Sequence, residues 1–173
     1  MSLGNILKSF IIQIGNMDDL FPLNTGISRV RGIISLAKQN KGRIEISKLA
    51  EESEEDIDDL LPLIEACKLL GFATVDESEL RLTDKGSQLT FSNFSRSIRT
   101  GLLNAEPFKS TIKILGDKEI PSSELFSKLK GRSIMVHGEE STNEALLRKL
   151  LIRWGVRAGL LSYDTDNDTW KKL

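Results

Sequence analysis

The chain has 173 residues, enough for one large domain or two small ones with hydrophobic cores. Apolar residues make up 39% of the sequence and charged residues 28%, a composition that excludes a disordered protein. No apolar run is long enough to cross a bilayer, and the N-terminus lacks the pattern of a signal peptide, so we expect a cytoplasmic protein.

The net charge of −1 conceals two unlike halves. Residues 1–83 carry 9 Lys/Arg and 14 Asp/Glu, whereas residues 84–173 carry 15 and 11. The first half is therefore acidic and the second half basic. Attraction between the two halves is the favoured interpretation, and binding of an anionic partner by the second half is the alternative.

An amphipathic helix is predicted at the N-terminus, followed by a connector that ends at residue 26. This helix either packs on the protein's own domains or mediates dimerisation or docking. We expect it to pack against the long helix near the C-terminus, and a homodimer is slightly favoured because the helix lies outside both predicted cores. Its apolar stripe consists of Leu3, Ile6, Leu7, Phe10, Ile11 and Ile14.

A first winged-helix unit is predicted over residues 27–90. Ser28 is expected to cap its first helix, and Ser53 with Asp56 is expected to form a capping box before its third. A hairpin over residues 72–82 would be the wing, after which Thr83 caps a further helix. The order helix, strand, helix, helix, strand, strand is typical of a winged helix-turn-helix.

The third helix of this unit is acidic on the face that a winged helix usually presents to DNA. Its apolar residues gather on the opposite side, so the carboxylates are expected to face solvent and to repel phosphate. Residues 51–70 contain one cation, Lys68, against Glu51, Glu52, Glu54, Glu55, Asp56, Asp58, Asp59 and Glu65.

A second winged-helix-like unit is predicted over residues 91–173. Helices are expected over 91–103, 107–115, 124–130 and about 142–158, with a closing hairpin formed by residues 160–164 and 169–172. The fold class predicted for the chain is thus α+β and mostly helical, with tandem winged helix-turn-helix units and an additional N-terminal helix.

The long helix over residues 142–158 carries a cationic row, Lys149, Arg153 and Arg157, at spacings of four residues. Apolar residues flank the row on both sides, Ile152 among them, which predicts burial on two sides. The row is therefore expected to be structural or to face a partner. The candidate contacts for a protein partner or nucleic acid are Lys128, Lys130, Arg132, Arg148, Lys149, Arg153 and Arg157.

Catalytic and cofactor motifs are not found in the sequence. It contains neither of the glycine-rich loops that cradle nucleotide phosphates. Its single cysteine, Cys67, and single histidine, His137, are too few for a zinc site or a Cys/His nucleophilic pair. We therefore expect a non-enzymatic protein without a metal or cofactor, in which Cys67 is a buried apolar residue.

Two segments, DDLLPLIEACKLLGFATVDESELRLTDKG and IRWGVRAGLLSYDTDNDTW, resemble the C-terminal AAA-associated domain family. This domain is appended to ATPase subunits of nitrate-, sulfonate- and taurine-type ABC importers and also occurs as a stand-alone protein. The resemblance extends from about Asp19 onward. The residues that carry it are Asp59, Leu60, Leu61, Pro62, Gly71, Phe72, Leu82, Thr83, Gly86, Trp154, Gly155, Ala158, Tyr163 and Asp164.

The resemblance implies a non-catalytic regulatory or protein-interaction module, with an ABC-type ATPase as a partner supplied in trans. It implies no active-site residue. The alternative is a winged-helix transcription regulator that binds DNA through its basic second unit; nucleic acid is the less favoured partner because the first unit is acidic. Membrane insertion is not expected.

Overall fold

The computed structural model describes residues 21–23, 25–131 and 144–173. The predicted N-terminal helix, its stripe of Leu3, Ile6, Leu7, Phe10, Ile11 and Ile14, and its predicted packing lie outside the described residues, as do Arg132 and His137. The described part is an α+β structure with two small antiparallel sheets, which confirms the coarse fold class.

Among the described residues of the first half there are four helices and one sheet. Its element order is helix, strand, helix, helix, strand, strand and then a single helical turn. The elements are α1 (Ile27–Gln39), β1 (Arg43–Glu45), α2 (Ile46–Ser53), α3 (Ile57–Leu69), β2 (Ala73–Asp76), β3 (Glu79–Leu82) and α4 (Asp84–Ser87).

The first sheet has the strand order β1-β3-β2, with both neighbouring pairs antiparallel. Leu80 of the central strand lies opposite Ile44 on one side and Val75 on the other. Leu80 and Ile44 are buried, because alternate residues of each strand point toward the helices. The apolar residues of α1 and α3 cover this face, among them Cys67, which is buried as predicted.

Two of the predicted helix caps are wrong. α1 begins one residue before Ser28, with Gly26 as its N-cap, and no side chain caps it. Ser53 is the last residue of α2, where its hydroxyl donates to the Ala50 carbonyl at 3.3 Å. Because Glu54 then adopts a left-handed conformation that ends α2, the next helix starts after Asp56 and the capping box does not form.

The predicted cap at Thr83 is confirmed, and it also ties the hairpin to α3. Thr83 Oγ1 accepts a hydrogen bond from the Gly86 amide at 3.0 Å and donates one to the Gly71 carbonyl at 2.7 Å. This arrangement brings the Gly86 backbone against Phe72. A Cβ on Gly86 would lie 1.9 Å from the Phe72 carbonyl oxygen, so only glycine fits there.

The second half also combines helices with a three-stranded sheet, here in the order β4-β6-β5. Trp170 on the central strand pairs with Ile120 and with Tyr163 and is fully buried. The elements are α5 (Phe94–Leu102), α6 (Phe108–Leu115), β4 (Ile120–Pro121), α7 (Ser122–Gly131), α8 (Glu144–Leu150), a π-helical segment (Leu151–Val156), β5 (Leu161–Asp164) and β6 (Thr169–Lys172).

The long predicted helix is thus two consecutive pieces within the described residues. α8 continues into the wider turns of the π-helical segment, in which Trp154 and Gly155 are buried. A Cβ on Gly155 would lie 2.6 Å from Leu161 Cδ1, so the closing hairpin approaches the segment closely at this position. π-helical turns are rare and are often found at functional sites.

The two halves share one continuous hydrophobic core. Gly101 of α5 packs against Leu70, which follows α3, and a Cβ at residue 101 would lie 2.7 Å from Leu70 Cδ2. The segment before α1 joins the core as well, because Phe21 is buried with its ring 5.5 Å from that of Phe108 and 4.6 Å from that of Trp154.

We predict that Gly86→Ala lowers the free energy of unfolding by about 2–3 kcal/mol, because the added methyl group overlaps the Phe72 carbonyl oxygen, which accepts a hydrogen bond from the Thr83 amide at 3.0 Å and cannot move away without losing it. Urea unfolding measured by circular dichroism tests this.

The matched control is Gly32→Ala on the exposed side of α1, where an added Cβ meets nothing within 4 Å. This change should stabilise the protein by about 0.5–1 kcal/mol through helix propensity. Equal effects of the two substitutions would contradict the close approach at Gly86.

Candidate functional site

The cations singled out in the sequence do not form one surface. Lys128 pairs with Glu124 at 2.6 Å, one turn away on α7, and Lys130 is exposed on the same helix. Arg148 is half-buried against the closing hairpin. The structure brings together the other three described candidates, Lys149, Arg153 and Arg157, along one groove.

Arg148 holds the closing hairpin through Asp168. It forms an ion pair with the Asp168 carboxylate and donates to the Tyr163 hydroxyl. Asp168 also accepts hydrogen bonds from Ser122 Oγ at 2.6 Å and from Tyr163 Oη at 2.8 Å, and Trp170 Nε1 donates to Ser122 Oγ at 2.8 Å. Arg148 is therefore committed to contacts within the chain.

The same contacts displace the pKa values of this cluster. The hydrogen bond from Arg148, followed by those from Ser122 and Tyr163, holds the pKa of the Asp168 carboxyl well below its usual range. The hydrogen bond to Asp168 raises the pKa of the Tyr163 phenol and, together with the ion pair, that of the Arg148 guanidinium.

The groove is formed by the start of α1 on one side and by α8 with the π-helical segment on the other. Its volume is about 460 Å³. Of the described residues that line it, four are cationic and none is acidic. The lining consists of Thr25, Gly26, Ile27, Ser28, Arg29, Lys149, Ile152, Arg153 and Arg157.

Hydrogen bonds to the segment before α1 fix the position of this groove. Arg153 Nη1 donates to the carbonyl oxygens of Leu23 and Thr25, each at 3.4 Å. The buried Trp154 donates from Nε1 to Thr25 Oγ1 at 3.2 Å, and Thr25 Oγ1 in turn donates to the Pro22 carbonyl at 2.9 Å. The first turn of α1 is thereby held beside the cationic row.

The charges of the groove are only partly compensated by other residues. Arg29 forms an ion pair with Glu55. Lys149 and Arg157 are exposed, and neither forms an ion pair within the described ranges. Ile152, which was expected to be buried, is 36% exposed, because it lines the open groove.

Arg29, Ser28 and Gly26 were not recognised from the sequence as members of a site. Arg29 belongs to the acidic half and lies far along the chain from the cationic row. One local signal could have identified it: α1 has no acidic residue in its first turn and carries a cation there, although that end of a helix favours negative charge.

A second charged region, the acidic surface, consists of Glu51, Glu54, Asp56, Asp58 and Asp59. All five are exposed, at the end of α2 and the start of α3. None of them forms an ion pair in the part of the chain that the structure describes, whereas the neighbouring Glu52 and Glu65 pair with Lys48 and Lys68. The acidic surface therefore presents negative charge that no residue of the described chain neutralises.

The described residues offer little for metal binding, thiol chemistry or membrane insertion. They contain no group of three or more His, Cys, Asp or Glu side chains placed to hold a metal ion. Burial raises the pKa of the Cys67 thiol to about 12. No helix described by the structure combines the length and apolar character needed to cross a membrane.

We predict that Asp168→Asn lowers the urea midpoint of unfolding at pH 7. Asparagine tolerates the positive φ of this position, so the change removes mainly the charge. Because the pKa of Asp168 is lower in the folded protein than the ordinary value near 4, its contribution is present above about pH 4 and is lost as the pH falls below that value. The difference in midpoint between wild type and variant should shrink at pH 3.

Asp166→Asn in the same hairpin is the control, because Asp166 is exposed and its carboxylate has no hydrogen-bond partner within the described residues. It should leave the midpoint unchanged. The difference in urea midpoint between wild type and Asp168→Asn should depend on pH. If it is the same at pH 7 and pH 3, the role assigned to the charge is wrong.

Comparison with known proteins identifies the family. Neither the curated proteins nor the solved structures compared with the chain include a match. The family model described as the C-terminal AAA-associated domain matches residues 47–164, more than half of the 173 residues. This range includes the acidic surface and the cationic row, and begins after α1. The chain belongs to the C-terminal AAA-associated domain family, as its resemblance in sequence indicated.

Proposed function

We propose that this protein is a non-enzymatic protein-interaction module of the winged-helix type that binds an ABC-type ATPase and regulates it. Within this proposal α2 and α3 form the helix-turn-helix of the first unit, and the β2–β3 hairpin is its wing. The second unit repeats the pattern with α7, the helix that includes α8, and the β5–β6 hairpin.

The acidic surface is the observation that carries the proposal. In a winged helix that binds DNA, the helix in the position of α3 enters the major groove. Here the exposed Asp56 is the N-cap of that helix, and the exposed Asp58 and Asp59 lie in its first turn. Each carboxylate placed about 4 Å from a phosphate would cost about 1 kcal/mol even in water, and more at a drier interface. The same charges favour contact with a basic protein surface.

Membership of the AAA-associated family supports the choice of partner, because the family description links the domain to ATPases. The displaced pKa values support a non-catalytic role. They belong to groups with structural contacts, such as Cys67 in the core and Asp168 in the hairpin network, rather than to groups that converge on a shared pocket.

We predict that the double variant Asp58→Asn/Asp59→Asn weakens binding to a purified ATPase subunit of an ABC importer from the same organism by about threefold to tenfold. Exposed ion pairs contribute up to about 1 kcal/mol each, and their loss acts mostly on the association rate. Biolayer interferometry at 50 and 300 mM salt measures both rates, and ATP hydrolysis with and without the protein measures regulation.

Asp117→Asn/Asp166→Asn is the matched control. It removes the same charge from exposed positions in the second half, and it should bind like the wild type. Loss of binding by this control alone, or absence of binding to any of the organism's importer ATPases at micromolar concentration, would count against the proposal.

A DNA-binding regulator is the second candidate, favoured by the exposure of Lys149 and Arg157 in the groove. We predict that a mixed-sequence duplex at about 150 mM salt binds no more tightly than about 1 μM, the tight end of ordinary non-specific affinity at that salt concentration. Fluorescence anisotropy tests this. Tighter binding with a steep dependence on salt would replace the protein-interaction proposal with the DNA-binding one.

A further inference from the structure

We propose that the groove between the start of α1 and the cationic row is a binding site for a small molecule that carries two or more phosphate groups. Both sides of the groove supply cations. Arg29 comes from the first turn of α1, and Lys149, Arg153 and Arg157 come from residues more than a hundred positions later in the chain. This inference goes beyond the proposed ATPase contact, since the acidic surface lies on α2 and α3.

The cations that line the groove repel one another. Lys149, Arg153 and Arg157 follow one another at spacings of four residues, at which like charges destabilise a helix. Of the four lining cations, Arg29 alone forms an ion pair within the described part of the chain, with Glu55. A bound anion with several negative charges would relieve this repulsion.

The backbone adds to the preference for an anion. The N-terminus of α1 opens into the groove, where Gly26, Ile27 and Ser28 are all lining residues. No side chain caps this helix, and no acidic residue lies in its first turn. The first amides of a helix carry partial positive charge and can donate to phosphate oxygens, and the Ser28 hydroxyl is a further donor in the lining.

The donors also determine the class of ligand. Guanidinium groups bind phosphate through paired N–H donors, and Arg153 is held in position by the carbonyls of Leu23 and Thr25 before any ligand arrives. A volume of about 460 Å³ is within the range of small-molecule pockets. The exposed Ile152 offers an apolar contact at one side. A diphosphate group with or without an attached organic part fits these features.

Isothermal titration calorimetry on the full-length protein tests the site, with inorganic pyrophosphate, ADP and ATP as separate probes at 50 mM salt. We expect saturable binding of at least pyrophosphate. Tighter binding of ADP or ATP than of pyrophosphate would assign the natural ligand to the nucleotides, and equal binding would assign it to the phosphates alone.

Lys149→Gln/Arg157→Gln is the informative variant, because both side chains are exposed and their loss should not affect folding. We expect its affinity for pyrophosphate to fall about tenfold or more, because the variant removes two cations that would donate charge-assisted hydrogen bonds to the phosphate oxygens. Lys113→Gln/Lys130→Gln removes the same charge from exposed positions on α6 and α7, and should change the affinity by less than about twofold.

Three results would overturn the proposal. The first is the absence of binding for all three probes up to about 5 mM, well above the range of ordinary small-molecule sites. The second is an equal loss of affinity in the two double variants, which would indicate general attraction to a basic surface. The third is binding of duplex DNA or a glutamate-rich peptide, but of none of the three probes, through Lys149 and Arg157.

Discussion

The buried contact of Trp154 with the segment before α1 positions the cationic groove. Trp154 packs edge-on against Phe21 and donates to Thr25. Arg153, its neighbour, donates to the backbone of the same segment. Because α1 starts two residues after Thr25, this contact determines where the helix begins in space and what lies beside its N-terminus.

Arg148 and Lys149 are adjacent on α8 but make different contacts. Arg148 is directed toward the closing hairpin, where Asp168 and Tyr163 neutralise and order it. Lys149 follows one position later and lines the groove on another side. A rotation of about 100° per residue separates them, so a cation count along the sequence cannot distinguish a structural arginine from one available to a ligand.

The two charged regions, which have opposite signs, lie on different elements. The acidic surface lies where α2 ends and α3 begins, and the groove is made by α1 with α8 and the π-helical segment. Arg29 lines the groove, and Glu55 lies between Glu54 and Asp56 of the acidic surface. An ion pair between Arg29 and Glu55 therefore connects the two regions. The contact proposed for a basic protein surface and the site proposed for a phosphate-bearing molecule therefore lie on different elements.

Local patterns in the sequence were sufficient to predict most helices and strands and one helix cap. The alternation around Leu80 indicated the first hairpin, and the cap at Thr83 with Gly86 was predicted correctly because it depends on residues three apart. The cap at Ser28 was predicted wrongly. Gly26, which is also a residue type found at N-caps, takes that position instead, and Trp154 bonds to the neighbouring Thr25.

The sequence by itself determined the family, most of the helices and strands, and the acidity of the α3 face, because each of these depends on residues close together in the chain or on the side of a helix they occupy. Only the tertiary structure decided that Arg29 joins Lys149, Arg153 and Arg157, that Arg148 does not, and that Ile152 is exposed. The reason is physical: the groove exists only where buried contacts of Phe21 and Trp154 bring the two ends of the described chain together.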